Sequence, residues 1–332
     1  MLGETLASLQ TQTYPHWEAV VVDDGSTDGT AEAVEARFGD DARIRYHTRQ
    51  GDKAGAPVCR NQGTHLAQGE FVIYLDSDDL LAPECLRSRV SFLQKHPELD
   101  FCVAPCWLFY EEPGDTNRIF NRIASHEDDL DRFLAFDWPW QTSGPLWRLS
   151  SLQRENIEWD EELIVGQDMD FSCHALVADL RYQWIEKPDF YYRMTDPAAN
   201  KIGIHPLEPR KLPSQLHRIE RLCDLLSDSN GMIDQRSNPH RIARLAGNFF
   251  LIARKWAEIK QWKKAVEVWK LARKRRLLTT RHYYEGVVYF SLICSRGARI
   301  GLSYLKRRWP VPMFVEIPNK IGCTLEEIHI AK

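Results

Sequence analysis

The stretch Phe71-Val72-Ile73-Tyr74-Leu75-Asp76-Ser77-Asp78-Asp79 decides the fold. Five apolar or aromatic residues run into three carboxylates within four positions. An unbroken apolar run suits a strand covered on both faces, as in sheets flanked by helices. Clustered carboxylates repel one another and do not all ionise cheaply, so the end of this strand calls for a positive partner. A divalent cation with oxygen ligands is one answer, and Mg²⁺ or Mn²⁺ would in turn hold a phosphate. In open α/β sheets ligands bind just beyond the carboxyl ends of strands, where these acids fall. The competing reading is an acidic loop that caps a helix starting near Pro83. On this segment alone both readings stand.

A second acidic strand end lies upstream. Trp17-Glu18-Ala19-Val20-Val21-Val22 is β-branched and apolar, and it leads into Asp23-Asp24-Gly25-Ser26-Thr27-Asp28-Gly29-Thr30. Asp28 can cap, and Ala31 to Phe38 continues as a helix. The unit strand, acidic loop, helix therefore occurs twice. Asp24, Ser26, Asp28, Gly29 and Glu35 also fall at the spacing of an EF-hand calcium loop. An EF-hand needs a helix before its loop, whereas Val20-Val21-Val22 favours a strand, and the sequence holds no second copy.

These segments carry a resemblance. The acidic loop 23–30, then Cys59-Arg60-Asn61-Gln62-Gly63, then Ala67-Gln68-Gly69-Glu70-Phe71 leading into Asp76-Ser77-Asp78-Asp79, resembles the family-2 glycosyltransferases of GT-A fold. Gly166-Gln167-Asp168-Met169-Asp170 is similar to that family's Glu-Asp motif. The resemblance extends over residues 2–200. It implies a doubly wound, mixed but mostly parallel sheet over 1–204; the region 205–332, outside the resemblance, reads from its own periodicity and charge as basic and all-helical. It also implies a metal-dependent, inverting transfer of a hexosyl group from a nucleotide-diphosphate sugar, UDP-linked, to a hydroxyl of a glycan or lipid-linked acceptor, as in polysaccharide biosynthesis. By the same resemblance Asp168 is the base, and Asp23, Asp24, Ser26, Arg60 and Asp76 contact the nucleotide sugar. Asp76 and Asp78 hold Mg²⁺ or Mn²⁺. A non-catalytic sugar-nucleotide-binding or scaffold protein of the same fold is the alternative.

Two positions depart from the family pattern. Gln167 stands where Glu is common before the base. Tyr192-Arg193-Met194-Thr195 lacks the His that often follows the last strand and approaches the metal, with His205 as a distant substitute. The family also opens with a strand of the type Val-Ser-Val-Ile-Ile-Pro before the helix that here begins at Leu2. The expectation is a start codon assigned too late, a truncated enzyme being the alternative.

Composition fits an ordinary globular chain: 332 residues, 43% hydrophobic and 27% charged, which excludes a disordered protein. The eight cysteines form no CxxC pair and read as buried residues of a reducing, cytoplasmic compartment. Met1 opens onto an amphipathic helix carrying Glu4 rather than onto a signal peptide. The most apolar run, Gly286 to Cys294, is far short of the roughly 20 residues that span a bilayer.

Charge is unevenly spread. Residues 1–204 hold 18 Lys/Arg against 36 Asp/Glu, a balance of −18, and residues 205–332 hold 25 against 11, a balance of +14. Arg273-Lys274-Arg275-Arg276 and Lys306-Arg307-Arg308-Trp309 are solvated helix faces or attract an anionic membrane surface, which gives a cytoplasmic protein peripheral to the membrane. Nucleic acid is not an expected partner, because no recognised module is present and the acidic half would be repelled. Trp262, Ala265, Trp269 and Ala272 have the spacing of a tetratricopeptide second helix, which packing alone explains.

Overall fold

The computed structural model describes residues 1–120, 127–194, 207–228, 233, 239–296 and 323–324. The chain opens with α1 (Leu2–Gln10), β1 (Ala19–Asp23), α2 (Thr30–Phe38), β2 (Ile44–Thr48) and α3 (Ala56–Leu66). β3 (Phe71–Val72), β4 (Leu80–Leu81), α4 (Cys85–Lys95), β5 (Phe101–Val103), β6 (Cys106–Phe109) and β7 (Arg118–Ile119) follow. Then come α5 (Asp129–Leu134), β8 (Pro145–Arg148), α6 (Leu149–Arg154), α7 (Gln167–Val177), β9 (Tyr182–Trp184) and β10 (Phe190–Arg193). The remainder is α8 (Leu212–Leu225), α9 (Pro239–Glu258), α10 (Trp262–Lys274), α11 (Thr280–Arg296) and a short β11 (Cys323–Thr324).

The alternation of strand and helix expected from the sequence is present, but the sheet is not one mostly parallel layer. β1 and β2 form a parallel pair, β3-β8-β5-β9 form a second sheet, and β11-β7-β6-β10-β4 form a third. Among the described residues five of the eight strand pairings are antiparallel, so the sheets are split and mixed. Connection length explains part of this. A parallel neighbour needs a crossover of a dozen or more residues, and the short loop between β6 and β7 permits only an antiparallel return. β8 lies antiparallel to both β3 and β5.

The strand expected to end at Leu75 is regular only over Phe71–Val72. Tyr74 instead turns inward, its ring edge-on to Trp159 at 4.9 Å and to Phe171 at 5.4 Å. The polar segment past Glu111 holds β7 and α5. The helical character expected beyond residue 207 is found in α8 to α11.

Burial joins the two parts. One apolar cluster runs from Tyr74, Phe101 and Trp147 through Phe171 to Leu222, Phe249, Trp269 and Tyr289. The expected boundary near residue 204 lies outside the described residues, as does His205. In the helical part Ala265, Trp269 and Ala272 are fully buried between α9 and α11, so packing accounts for their spacing. Gly286 of α11 is required there, because a Cβ would stand 2.3 Å from the Trp269 indole nitrogen. That nitrogen donates to the Tyr283 carbonyl at 3.0 Å.

Candidate active site

The Cys59-to-Gly63 motif on α3 organises the site. The Arg60 guanidinium lies over Trp159 at 4.3 Å, donates to Asp76 Oδ1 at 2.7 Å and to Gln167 Oε1 at 3.2 Å. It thus links the acidic turn after β3 to the start of α7. Asn61 makes a reciprocal pair with the Trp159 backbone, donating to its carbonyl and accepting from its N–H, both at 2.9 Å. Gln62 pairs in the same way with the backbone of Gln50, at 2.8 and 2.9 Å. Each polar residue of the motif therefore ties down one loop around the cleft.

The acidic turn is gripped from several elements. Thr5 of α1 donates to the carbonyls of Ser77 and Asp79 at 3.0 and 2.9 Å. Arg193 of β10 gives its backbone N–H to Asp79 Oδ1 at 3.2 Å and its Nε–H to the Asp78 carbonyl at 3.0 Å. The Ser143 hydroxyl donates to Asp79 Oδ2 at 3.0 Å and accepts from the Asp76 N–H at 3.4 Å. Burial, with Asp76 and Asp78 beside it, pushes the Asp79 carboxyl well above the usual carboxylate range. Of the three acids, Asp79 is thus structural. Thr5 and Ser143 carry no local sequence signal, because each acts through a contact remote in the chain.

Asp23 and Asp24 sit at the end of β1. Against the penalty of partial burial, the Ser26 hydroxyl and the Ser26 and Gly25 N–H groups hold the Asp23 carboxyl below its ordinary value. Asp24 pairs with Arg49 at 2.6 Å and accepts from the Gly55 N–H at 2.9 Å. Asp28 accepts from the Thr30 N–H at the start of α2. The calcium-loop reading fails here: the segment entering the loop is strand β1, not a helix. Ser26 turns toward Asp23.

Asp168 lies in the first turn of α7, half-buried, and it lines a small recess with Tyr74, Trp147, Trp159 and Phe171. Burial raises its pKa, Arg60 opposes the rise, and Asp76 adds to it. The helix terminus does not win, although its dipole alone would lower the value. Arg60 thereby brings Asp76 and the Gln167-Asp168 turn to one place, whereas Asp23, Asp24 and Ser26 form a separate group.

The donor set sets limits on a metal. Among the described residues no group of three His, Cys, Asp or Glu side chains is arranged to hold an ion. With Asp79 bonded to Ser143 and Arg193, the oxygen donors a cation could draw on are those of Asp78 and of Asp76, whose Oδ1 already accepts from Arg60. That fits a cation that takes two carboxylates at most from the chain and its other ligands from phosphate and water, the habit of Mg²⁺.

Residues 1–144 match the family described as Glycosyl transferase family 2. The likeness to that family covers 144 of the 332 residues. The poly(ribitol-phosphate) beta-N-acetylglucosaminyltransferase TarS of Staphylococcus aureus is 26% identical over 225 residues, 67% of this chain and 37% of TarS. The GalNAc(5)-diNAcBac-PP-undecaprenol beta-1,3-glucosyltransferase of Campylobacter jejuni is 40% identical over 128 residues, 39% of this chain and 40% of that protein. The chain thus spans well under half the length of these curated relatives. The crystal structure of residues 1–349 of S. aureus TarS in complex with UDP-GlcNAc covers 87% of each chain with a TM-score of 0.54 at 19% identity, a likeness of fold.

Two residues after Asp168, the Asp170 carboxylate is fully buried, with Arg221 Nε 3.1 Å away. Burial pushes its pKa from an ordinary 3.8 up to about 6, against the pull of Arg221 and Arg218. A folded-state value above the unfolded one contributes stability that is complete below pH 4 and is lost as pH rises through 6. The loss amounts to about 3 kcal/mol from this group. Asp170→Asn should therefore flatten the fall in thermal midpoint between about pH 4 and pH 6.5. An unaltered pH profile in that variant would show that Asp170 does not titrate there.

Proposed function

We propose that the protein transfers a sugar from a nucleoside-diphosphate sugar, UDP-linked, to the hydroxyl of a glycan or lipid-linked acceptor, with inversion at the anomeric carbon. The observation that carries this reading is the Arg60 bridge, which sets the acidic turn and the Asp168 turn side by side. Asp168 accepts the proton of the acceptor hydroxyl, whose oxygen attacks the anomeric carbon opposite the diphosphate. The bond to the leaving phosphate oxygen breaks, and a single displacement inverts the centre. The raised pKa of Asp168 suits this role, since a stronger base accepts a proton more readily. Gln167 supports it as well: it contacts Arg60 without neutralising it, which leaves the guanidinium to Asp76 and to an incoming diphosphate. Mg²⁺ or Mn²⁺ held by Asp76 and Asp78 would supply Lewis-acid stabilisation of the departing diphosphate. Asp23, Asp24 and Ser26 at the end of β1 are proposed to meet the nucleoside. TarS, solved with UDP-GlcNAc, suggests that sugar nucleotide as the first donor to try.

The basic balance of the helical part supports superficial contact with an anionic membrane, where a lipid-linked acceptor would be presented. Among the described residues no helix is long and apolar enough to cross a membrane. Part of the 273–276 cluster is spent internally, Arg273 lying over Tyr283 and Arg275 pairing with Asp224. Lys306-Arg307-Arg308-Trp309 and Tyr304 lie outside the described residues.

Three outcomes are expected. Asp78→Ala should retain the fold and lose the Mn²⁺-dependent part of UDP binding by calorimetry; full Mn²⁺-dependent binding would remove Asp78 from the metal site. Asp168→Asn should lower turnover of the sugar nucleotide by about 10²–10⁴ with donor affinity little changed. Near-normal turnover would leave it a helix-terminal residue only. The protein should float with anionic but not neutral vesicles and release as ionic strength rises. Indifference to anionic vesicles at low salt would make the basic face an internal brace.

A further inference from the structure

The helical part meets α7 through one face of α8 that carries His217, Arg218 and Arg221. Two of these have evident acidic partners. His217 Nε2 lies 2.7 Å from Asp160, and Arg221 Nε lies 3.1 Å from Asp170 and 3.7 Å from Asp160. Arg218 is different. It is 1% exposed, and its guanidinium donates to Gln215 Oε1 at 3.0 Å, to the Met169 sulfur at 2.9 Å and to Asn248 Oδ1 at 3.3 Å. All three partners are uncharged, and among the described residues no carboxylate lies within ion-pair distance.

A buried cation with neutral partners is costly, and apolar replacements of buried charge are often neutral or stabilising. The N-terminal end of α7, beside which it lies, carries a partial positive charge of its own and adds to the cost. Fold stability alone is thus a poor reason for an arginine here. Its contacts are specific, however. Gly166, which precedes α7 with φ of 69°, lies so close that a Cβ there would stand 3.0 Å from Arg218 Cδ. Met169 is the residue immediately after Asp168. Asn248 of α9 is itself anchored, donating to the Leu134 carbonyl of α5 at 3.0 Å. The Arg218 side chain therefore packs on Gly166 before Asp168 and bonds Met169 after it, and ties both to α9.

We propose that Arg218 is a positioning residue: by packing on Gly166 and bonding Met169 and Asn248 it fixes the first turn of α7, and with it the direction in which Asp168 faces the recess. The helical part then contributes to the site itself. This rests on the reading of Asp168 as the base.

The test uses the full chain with Arg218→Met. The thermal midpoint should be unchanged or higher, because an apolar side chain replaces a buried cation. UDP affinity should stay within about twofold, while turnover of UDP-GlcNAc falls about 10–100-fold with little change in donor KM, the cost of a slightly misdirected group. Amide exchange at residues 167–170 should speed up about tenfold while α10 keeps its protection. Arg218→Lys, which retains the charge and loses the fork, should move the same readouts in the same direction by less, and it carries the test if the Met variant does not fold. Unchanged exchange at 167–170 overturns the proposal. So does a general loss of protection across α8 to α10 with a lowered midpoint, which would mark an ordinary structural role. If the unaltered protein turns over no sugar nucleotide, the functional reading fails, and exchange at 167–170 still decides the role of Arg218.

Discussion

The structure depends on closing an acidic turn at the end of an apolar strand. Asp79 is removed from water beside two further carboxylates, which is tolerable only because Ser143 and the Arg193 N–H reach its two oxygens. Ser143 is held in turn by Arg89 of α4, which donates to its carbonyl at 2.8 Å. Arg89 is fully buried and bonds Asp189 through two nitrogens, and Asp189 immediately precedes β10, which carries Arg193. The chain of contacts thus returns to its start. Removing one member of such a buried pair leaves an uncompensated charge at a cost of about 3–5 kcal/mol. The consequence is a rigid turn, so that Asp76 and Asp78 are presented by fixed backbone and not by a loop that must order on binding.

The alternation of strands and helices, the acidic end of β1 and the motif-bearing helix α7 were legible because each is a local pattern of period, cap or charge. The pairing of strands was not, since register and direction are set by contacts remote in the chain. The three sheets therefore emerged only in the structure. The same limit hid the roles of Thr5 and Ser143, ordinary hydroxyl residues whose importance lies in where their partners come from. The Cys59-to-Gly63 motif was legible as a pattern, yet the reason for Asn61 and Gln62, amides that bond loop backbone in both directions, required coordinates. Conversely, the EF-hand spacing in 24–35 was a false local signal, because strand β1 precedes the loop.

Asp168 shows how two physical effects compete at one carboxyl. A helix N-terminus and Arg60 favour the ionised form, while burial among Trp159, Phe171 and Tyr74 disfavours it. Burial prevails, as expected where low polarity acts on the whole group and the dipole only on its near end. A Glu in place of Gln167 would place another negative charge in this turn and compete with Asp76 for Arg60. The amide avoids both, which keeps the guanidinium oriented without discharging it.

The junction between the two parts of the chain is not built as a docking surface. A bundle that merely rested on its neighbour would need only the apolar contacts of the shared cluster, and those run from Phe171 to Leu222 and Phe249. Polar groups cross the same junction, with Asp160 and Asp170 facing His217 and Arg221, and Arg241 of α9 pairing with Asp131 of α5 at 2.8 Å. Buried polar contacts add little net stability, but they do discriminate between packings that apolar surfaces would accept equally. Where that discrimination falls at the Gln167-Asp168 turn, geometry gains more than stability does if Asp168 is the proposed base, because displacement of about 1 Å weakens catalysis far more than it weakens a fold.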